Sequence, residues 1–149
     1  MKSIFTCFLF ILLGATSLAA QEKSNGIKLD VLRKHPDFNN RSFSLTKSGS
    51  NKGKTILIAG SGNYDKYVAT IMVGSKEIVL ESTEKVTRSG DEWRQWVSWK
   101  EVFTGKGYTL VLTTSKKTDA SPEVGTIEIT NGKLKSMYNV EGYMFESGD

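Results

Sequence analysis

The sequence predicts an all-β protein: an antiparallel meander of about eight strands closing into a small, flattened barrel, with a two-sheet β-sandwich as the alternative. Three observations carry this. Runs of five to nine residues alternate or concentrate apolar and β-branched side chains. Short connectors rich in Gly, Ser, Asn and Asp separate those runs. No long amphipathic helical pattern lies between consecutive runs, which removes parallel βαβ units. A meander of this length must close on itself or pack as two sheets to protect its edges.

The chain opens with "MKSIFTCFLFILLGATSLAA" (1–20). Lys2, an apolar run from Ile4 to Leu13 and a small-residue end have the layout of a secretory signal, cut after Ala19 or Ala20. The run is too short to span a bilayer. The protein is therefore expected to be secreted or periplasmic, without a stable membrane span. Cys7, the only cysteine, lies within the signal. The mature chain is then cysteine-free and relies on burial rather than disulfides. The remainder is long enough for one domain with a real core.

Residues 21–54 read as an irregular N-terminal segment of that domain, and 55–149 as a single antiparallel β-domain. "IKLDVLRK" (27–34) fits a short helix or an edge strand, ended by His35-Pro36, because Pro lacks the amide donor and restrains the residue before it. "FSLTK" (43–47) alternates like a strand, and "SGSNKG" (48–53) is turn chemistry. "TILIA" (55–59) is a short apolar strand followed by the loop "GSGN" (60–63). "YVATIMV" (67–73) and "IVLESTEKV" (78–86) are strands joined by "GSKE" (74–77), and "SGDE" (89–92) reads as the next turn. A tryptophan-bearing strand then runs from about 93 to 103, and "TGKG" (104–107) leads into "YTLVLTT" (108–114). After a polar loop, "GTIEIT" (125–130) meets "KLKSMYNV" (133–140) across Asn131-Gly132, the strongest hairpin signal in the chain. "GYMF" (142–145) closes it.

Several chemistries find no support. One histidine, His35, and no mature cysteine leave nothing for a zinc site. The acidic residues near 90–92 and 118–123 are too sparse for a calcium loop. His35 beside Pro36 reads as a solvated turn residue rather than as part of a nucleophilic triad. Glu77, Glu81, Glu84, Asp91, Glu92 and Glu101 alternate with apolar residues, as on the wet face of a strand, rather than forming an acid–base pair. "GSG" (60–62) is not followed by a helix or by G-K-[ST], so it is no phosphate loop. The formal charge of +4 is mild and interspersed. No arginine-rich or stacking motif points to nucleic acid. No cofactor is expected, and the chain reads as a non-enzyme. "NRS" (40–42) is a glycosylation sequon, usable only in a eukaryotic secretory pathway.

All three tryptophans fall within "WRQWVSWKEV" (93–102). Strand side chains alternate faces. Trp93, Gln95, Val97, Trp99 and Phe103 then share a mostly apolar side that reads as core. Arg94, Trp96, Ser98, Lys100 and Val102 share the other. An aromatic between two cations suits a protein interface or a sugar ring.

Two stretches resemble known families. "QWVSWKE" (95–101) looks like the W-x-V-x-W-K string on one strand of avidin-like barrels; no biotin-binding residue carries over. The stretch from 69 to 93, with "WVSWKEVFTGKGYTLVL" after it, is similar in layout to the periplasmic inhibitors of C-type lysozyme, small β-barrels with an S-G-x-x-Y turn before a strand carrying W-x-K-G. Here Trp93 stands at the position of that tyrosine, Glu101 follows Trp99-Lys100, and the family's cysteine pair is absent. "SGNY" (61–64) also resembles the S-G-x-Y turn of other lysozyme inhibitors. In the C-type family the serine turn and the lysine enter the lysozyme cleft, and the resemblance implies Ser89 and Lys100 for those roles. The expected function is a non-catalytic binding protein that meets a protein or glycan partner through a sheet face, with Trp96, Arg94, Lys100 and Ser89 as contact residues. The alternative is a calycin-like small-barrel carrier of a hydrophobic ligand.

Overall fold

The computed structural model describes residues 26–33, 40–46, 52–61, 66–83, 87–91, 96–118 and 120–144; for Thr87, Arg88, Gly90, Asp91, Trp96 and Met144 it describes the backbone alone. The strands are β1 (Arg41–Leu45), β2 (Thr55–Gly60), β3 (Val68–Val73), β4 (Lys76–Ser82), β5 (Thr87–Asp91), β6 (Trp96–Gly105), β7 (Tyr108–Lys116), β8 (Glu123–Asn131) and β9 (Leu134–Met144). Every pairing between them is antiparallel, and no helix occurs among the described residues. The sheet runs β4-β3-β2-β1-β9-β8-β7-β6-β5 and closes where β4 also pairs with β6. Eight strands therefore make a ring, with β5 continuing along the edge of β6 that β4 leaves. That closure decides for the barrel over the sandwich.

The hairpin turns cluster at one end, called lower here. Gly74-Ser75 and Lys106-Gly107 are two-residue turns with positive φ at both positions (56° and 64°; 49° and 80°). Such mirror-image turns match the right-handed twist of the strands. At the third hairpin the ladder closes on Asn131↔Leu134, so the turn is Gly132-Lys133, with Gly132 at φ 58°. It lies one residue beyond the expected Asn131-Gly132 because Asn131 is spent on the last strand pair.

An eight-stranded barrel has an interior just wide enough for its own side chains. Phe43, Leu57, Ile71, Phe103, Leu112 and Ile129 are among those that fill it, each with no exposed surface. β2 is buried on both faces, with Ile56 and Ile58 on the outside at 0% and 4% exposure. This explains why "TILIA" reads as an apolar run instead of alternating.

Residues 21–54 contribute more than an irregular lead. β1 sits in the ring between β2 and β9. Ahead of it, residues 27–33 are extended, with no helical turn. They cross the lower end as a strap. The Tyr138 hydroxyl donates to the Ile27 carbonyl and accepts the Leu29 amide at 3.2 Å. Asp30 and Leu32 donate their amides to the carbonyls of Met72 and Thr55, both at 2.8 Å. Ile27 and Leu29, 6% and 3% exposed, join the barrel core. These contacts override the helical option, because an extended strap can bring both apolar side chains to the barrel end.

Two further expectations change. β4 stops at Ser82 instead of running to Val86, and Ser89-Gly90-Asp91 belong to β5 rather than to a turn. The chain shifts there from pairing with β3 to pairing with β6. The connection from β5 to β6 is 92–95, outside the described residues.

Candidate functional site

At the upper end, β5 and β6 pair in the register Thr87↔Lys100, Arg88↔Trp99, Ser89↔Ser98, Gly90↔Val97 and Asp91↔Trp96. Alternation puts Ser89, Ser98 and Lys100 on the outer face. Ser89 and Lys100 are exposed and stand at diagonal positions of the ladder. Such diagonal neighbours lie roughly 7–8 Å apart, within reach of one partner group. Ser98 is half-buried, its hydroxyl donating to the Thr114 carbonyl at 3.2 Å. Trp96 opens β6 opposite Asp91, and its side chain is not among those described. Trp93 and Arg94 lie outside the described residues. Of the contact residues expected from sequence, the structure thus brings Ser89 and Lys100 together.

On the inner face, Val97 and Trp99 are half-buried, while Glu101 and Phe103 are buried. Glu101 therefore departs from the wet-face expectation for its carboxylate: it shares the parity of Trp99 and Phe103 and points into the lumen. There it meets a polar cluster that sequence reading does not single out. The Arg41 guanidinium donates to Glu101 Oε2, to Glu123 Oε2 at 3.0 Å and to the Tyr67 hydroxyl at 2.8 Å. Thr114 donates to Glu123 Oε2 at 3.1 Å. The side chains of Arg41, Glu101 and Glu123 are 7%, 3% and 8% exposed. The Arg41 guanidinium also lies 5.5 Å from the Phe43 ring centroid, and Tyr67 stacks on Phe103 at 5.7 Å.

Arg41, Glu123 and Glu101 belong to β1, β8 and β6, and Tyr67 immediately precedes β3; these four strands alternate around the ring. They form a layer of the kind that alternate barrel strands build with inward side chains. In β1 and β8 the charged residue is the uppermost member of an inward series, Arg41–Phe43 and Glu123–Gly125–Ile127, whereas in β6 Glu101 sits within one, between Trp99 and Phe103. The signal in the sequence that could have found Arg41 and Glu123 is a charged residue opening an apolar alternation; Glu101 is marked only by sharing the parity of Trp99 and Phe103.

Burial alone would lower the pKa of Arg41. The opposing influence of Tyr67, Glu101 and Glu123 outweighs it and holds the guanidinium above its ordinary value. Burial pushes the Tyr67 hydroxyl up to about 12, against the pull of Arg41. Arg41 therefore stays a cation and Tyr67 a neutral phenol throughout the physiological range. The arrangement is a fixed internal brace, with each charged group engaged by another.

Asn40, the sequon residue, is 6% exposed and packs over Gly60, where a Cβ would fall 1.8 Å from its Oδ1. Its amide is not presented to solvent in the folded barrel. Among the described residues no group of three or more His, Cys, Asp or Glu side chains is placed to hold a metal ion. In comparisons with known proteins, the chain matches no family model, and no curated protein or solved structure is significantly similar to it.

Proposed function

We propose that this is a non-catalytic binding protein, acting outside the cytoplasm, that engages a protein partner through the outer surface of β5 and the start of β6, in the manner of an inhibitor or immunity protein. The observation that carries the reading is the occupied lumen. Arg41 spans the upper half to Glu101 and Glu123, and Ile27 and Leu29 fill the lower end. A barrel filled by its own side chains offers its recognition chemistry on the outside. Ser89 and Lys100, exposed on adjacent strands, supply a hydroxyl and a cation on one face. Trp96 at the head of the same strand would add an aromatic anchor. The same filled lumen disfavours the small-ligand carrier.

The test is inhibition and capture by the full mature chain. Wild-type protein should slow cell-wall lysis by C-type lysozyme, or retain a partner from the secreted or periplasmic fraction. Lys100→Glu and Trp96→Ala should lose that activity with an unchanged thermal midpoint. A glycan retained instead would move the partner class. A partner bound equally well by both variants would place the interface elsewhere on the barrel. Saturable uptake of a hydrophobic probe into the lumen would favour the carrier.

A further inference from the structure

Four strand connections and the strap meet at the lower end of the barrel, and each brings cations there. The strap buries Ile27, Leu29 and Leu32 and leaves Lys28 and Arg33 exposed. Lys52 and Lys54, both exposed, lead into β2 at Thr55. The β3–β4, β6–β7 and β8–β9 hairpins add exposed Lys76, Lys106 and Lys133. Little negative charge answers them. Asp30 accepts the Ser75 amide at 3.2 Å, and Glu128 is half-buried and held by Lys135 at 3.0 Å. Among the described residues, Glu77 is then the one exposed carboxylate of this end. At the upper end the exposed Lys66 is instead matched by Glu81 at 2.7 Å, and Arg41 is engaged inside the lumen.

These cations stand round a plane rather than along a track. They sit on connections spaced about the ring, between β1 and β2, β3 and β4, β6 and β7, and β8 and β9. The tips of those connections stand clear: a Cβ at Gly53, Gly74, Gly107 or Gly132 would meet no atom within 4 Å. Between them the mouth is filled by Ile27 and Leu29. An acidic peptide follows a groove or a stripe of charge, whereas cations round a filled end match a flat anionic surface. Leu134, at the tip of the β8–β9 hairpin, is 47% exposed among them. It adds an apolar side chain of the kind that enters a headgroup layer beside basic residues.

We propose that the lower end of the barrel docks on an anionic phospholipid surface, as a peripheral contact that inserts no strand. The lysines meet headgroup phosphates as point charges, and Arg33 grips one through paired hydrogen bonds. Leu134 enters the interface between them. The contact goes beyond the binding-protein reading and uses the end opposite Ser89 and Lys100. A barrel seated this way holds that outer face toward the solution.

The probe is a vesicle of phosphatidylcholine and phosphatidylglycerol in equal parts, sedimented with the full mature chain, with pure phosphatidylcholine as the neutral control. The protein should pellet with the anionic vesicle and stay in solution with the neutral one. Added salt should release it, because screening shortens the reach of the charges. Each lysine near such a surface contributes about fivefold in partition. Lys76→Gln, Lys106→Gln and Lys133→Gln together should therefore weaken binding by on the order of a hundredfold, with the thermal midpoint unchanged. Leu134→Ser should weaken it by a factor that salt does not alter. Lys66→Gln with Lys117→Gln, at the upper end, should leave it as it was. Equal pelleting with neutral vesicles, a triple variant that partitions like the wild type, or an equal loss from the upper-end pair would each overturn the proposal. So would a soluble polyglutamate chain that binds as tightly as the vesicle at matched charge, since the occupant would then be an acidic protein. A partner engaged through Lys100 should bind the triple variant as it binds the wild type, so the two readings fall separately.

Discussion

Arg41 and Glu101 are 60 residues apart in sequence and form a direct ion pair across the full width of the barrel. Their strands stand opposite one another: from β1, either way around the ring leads to β6 on the fourth step. A single guanidinium thus ties two opposing walls, while its second contact, to Glu123, ties a third.

Removing that guanidinium should be severe. Arg41→Ala leaves two buried carboxylates without their cation and is expected to cost about 3–5 kcal/mol, read from urea unfolding. Replacing Arg41, Glu101 and Glu123 together by Met, Leu and Leu should recover most of the loss, because the desolvation cost then disappears with the charges. A triple variant as unstable as Arg41→Ala would show that the charges are not the source of the effect.

The exposed pair Lys66–Glu81 supplies the contrast. Its side chains are 67% and 58% exposed at an N–O distance of 2.7 Å. Lys66→Ala should change stability by no more than about 0.5 kcal/mol, measured in the same urea series.

Tyr67 predicts a pH dependence at the alkaline end. Its hydroxyl rises from an ordinary value of about 10 to about 12 in the fold. The unfolded chain therefore loses this proton first as pH rises. The stabilisation is fully present below pH 10 and is lost through pH 12, by roughly 2–3 kcal/mol in all. Unfolding curves of wild type and Tyr67→Phe should differ below pH 10 by a constant and converge as pH approaches 12. Parallel curves over that window would show that Tyr67 titrates normally.

Tyr138 fixes the N-terminal strap through both its donor and its acceptor. Tyr138→Phe should cost about 1–2 kcal/mol. Amide exchange at Leu29, Asp30 and Leu32 should quicken while the β7–β8 ladder stays protected. Uniform loss of protection would mean that the strap and the barrel unfold as one unit.

Gly125 marks a close approach of strands. A Cβ there would lie 1.9 Å from the Thr113 carbonyl oxygen and 2.8 Å from the Thr114 Cα, both backbone atoms. Gly125→Ala should destabilise by about 1–3 kcal/mol, seen as a lower thermal midpoint with strand content retained in circular dichroism.

Much of the fold was legible because it depends on local pattern. The β6–β7 and β8–β9 hairpins follow from Lys106-Gly107 and the glycine near 132, between alternating runs. The barrel follows from having no helix to cover a sheet. What stayed hidden depends on distant partners. The β4–β5 break lies within a continuous alternating pattern, "IVLESTEKV", and is set by which neighbour each half pairs with. The strap was ambiguous because Ile27 and Leu29 are drawn inward by Tyr138 and the barrel end, more than a hundred residues away for the tyrosine. Ser89 and Lys100 were legible as surface residues. Glu101 was misread because a carboxylate between apolar residues ordinarily faces water, and only Arg41 makes the inward position tolerable.

The brace also bears on how the chain reaches this shape. Arg41 and Glu101 find each other only after the ring has closed, since they come from opposite walls. A partly closed intermediate would leave them unpaired in apolar surroundings. A one-residue slip of β6 would turn Glu101 outward and strand Arg41 inside. The ion cluster thus penalises a one-residue slip in strand register, in a chain whose single cysteine can form no internal disulfide to lock the alignment.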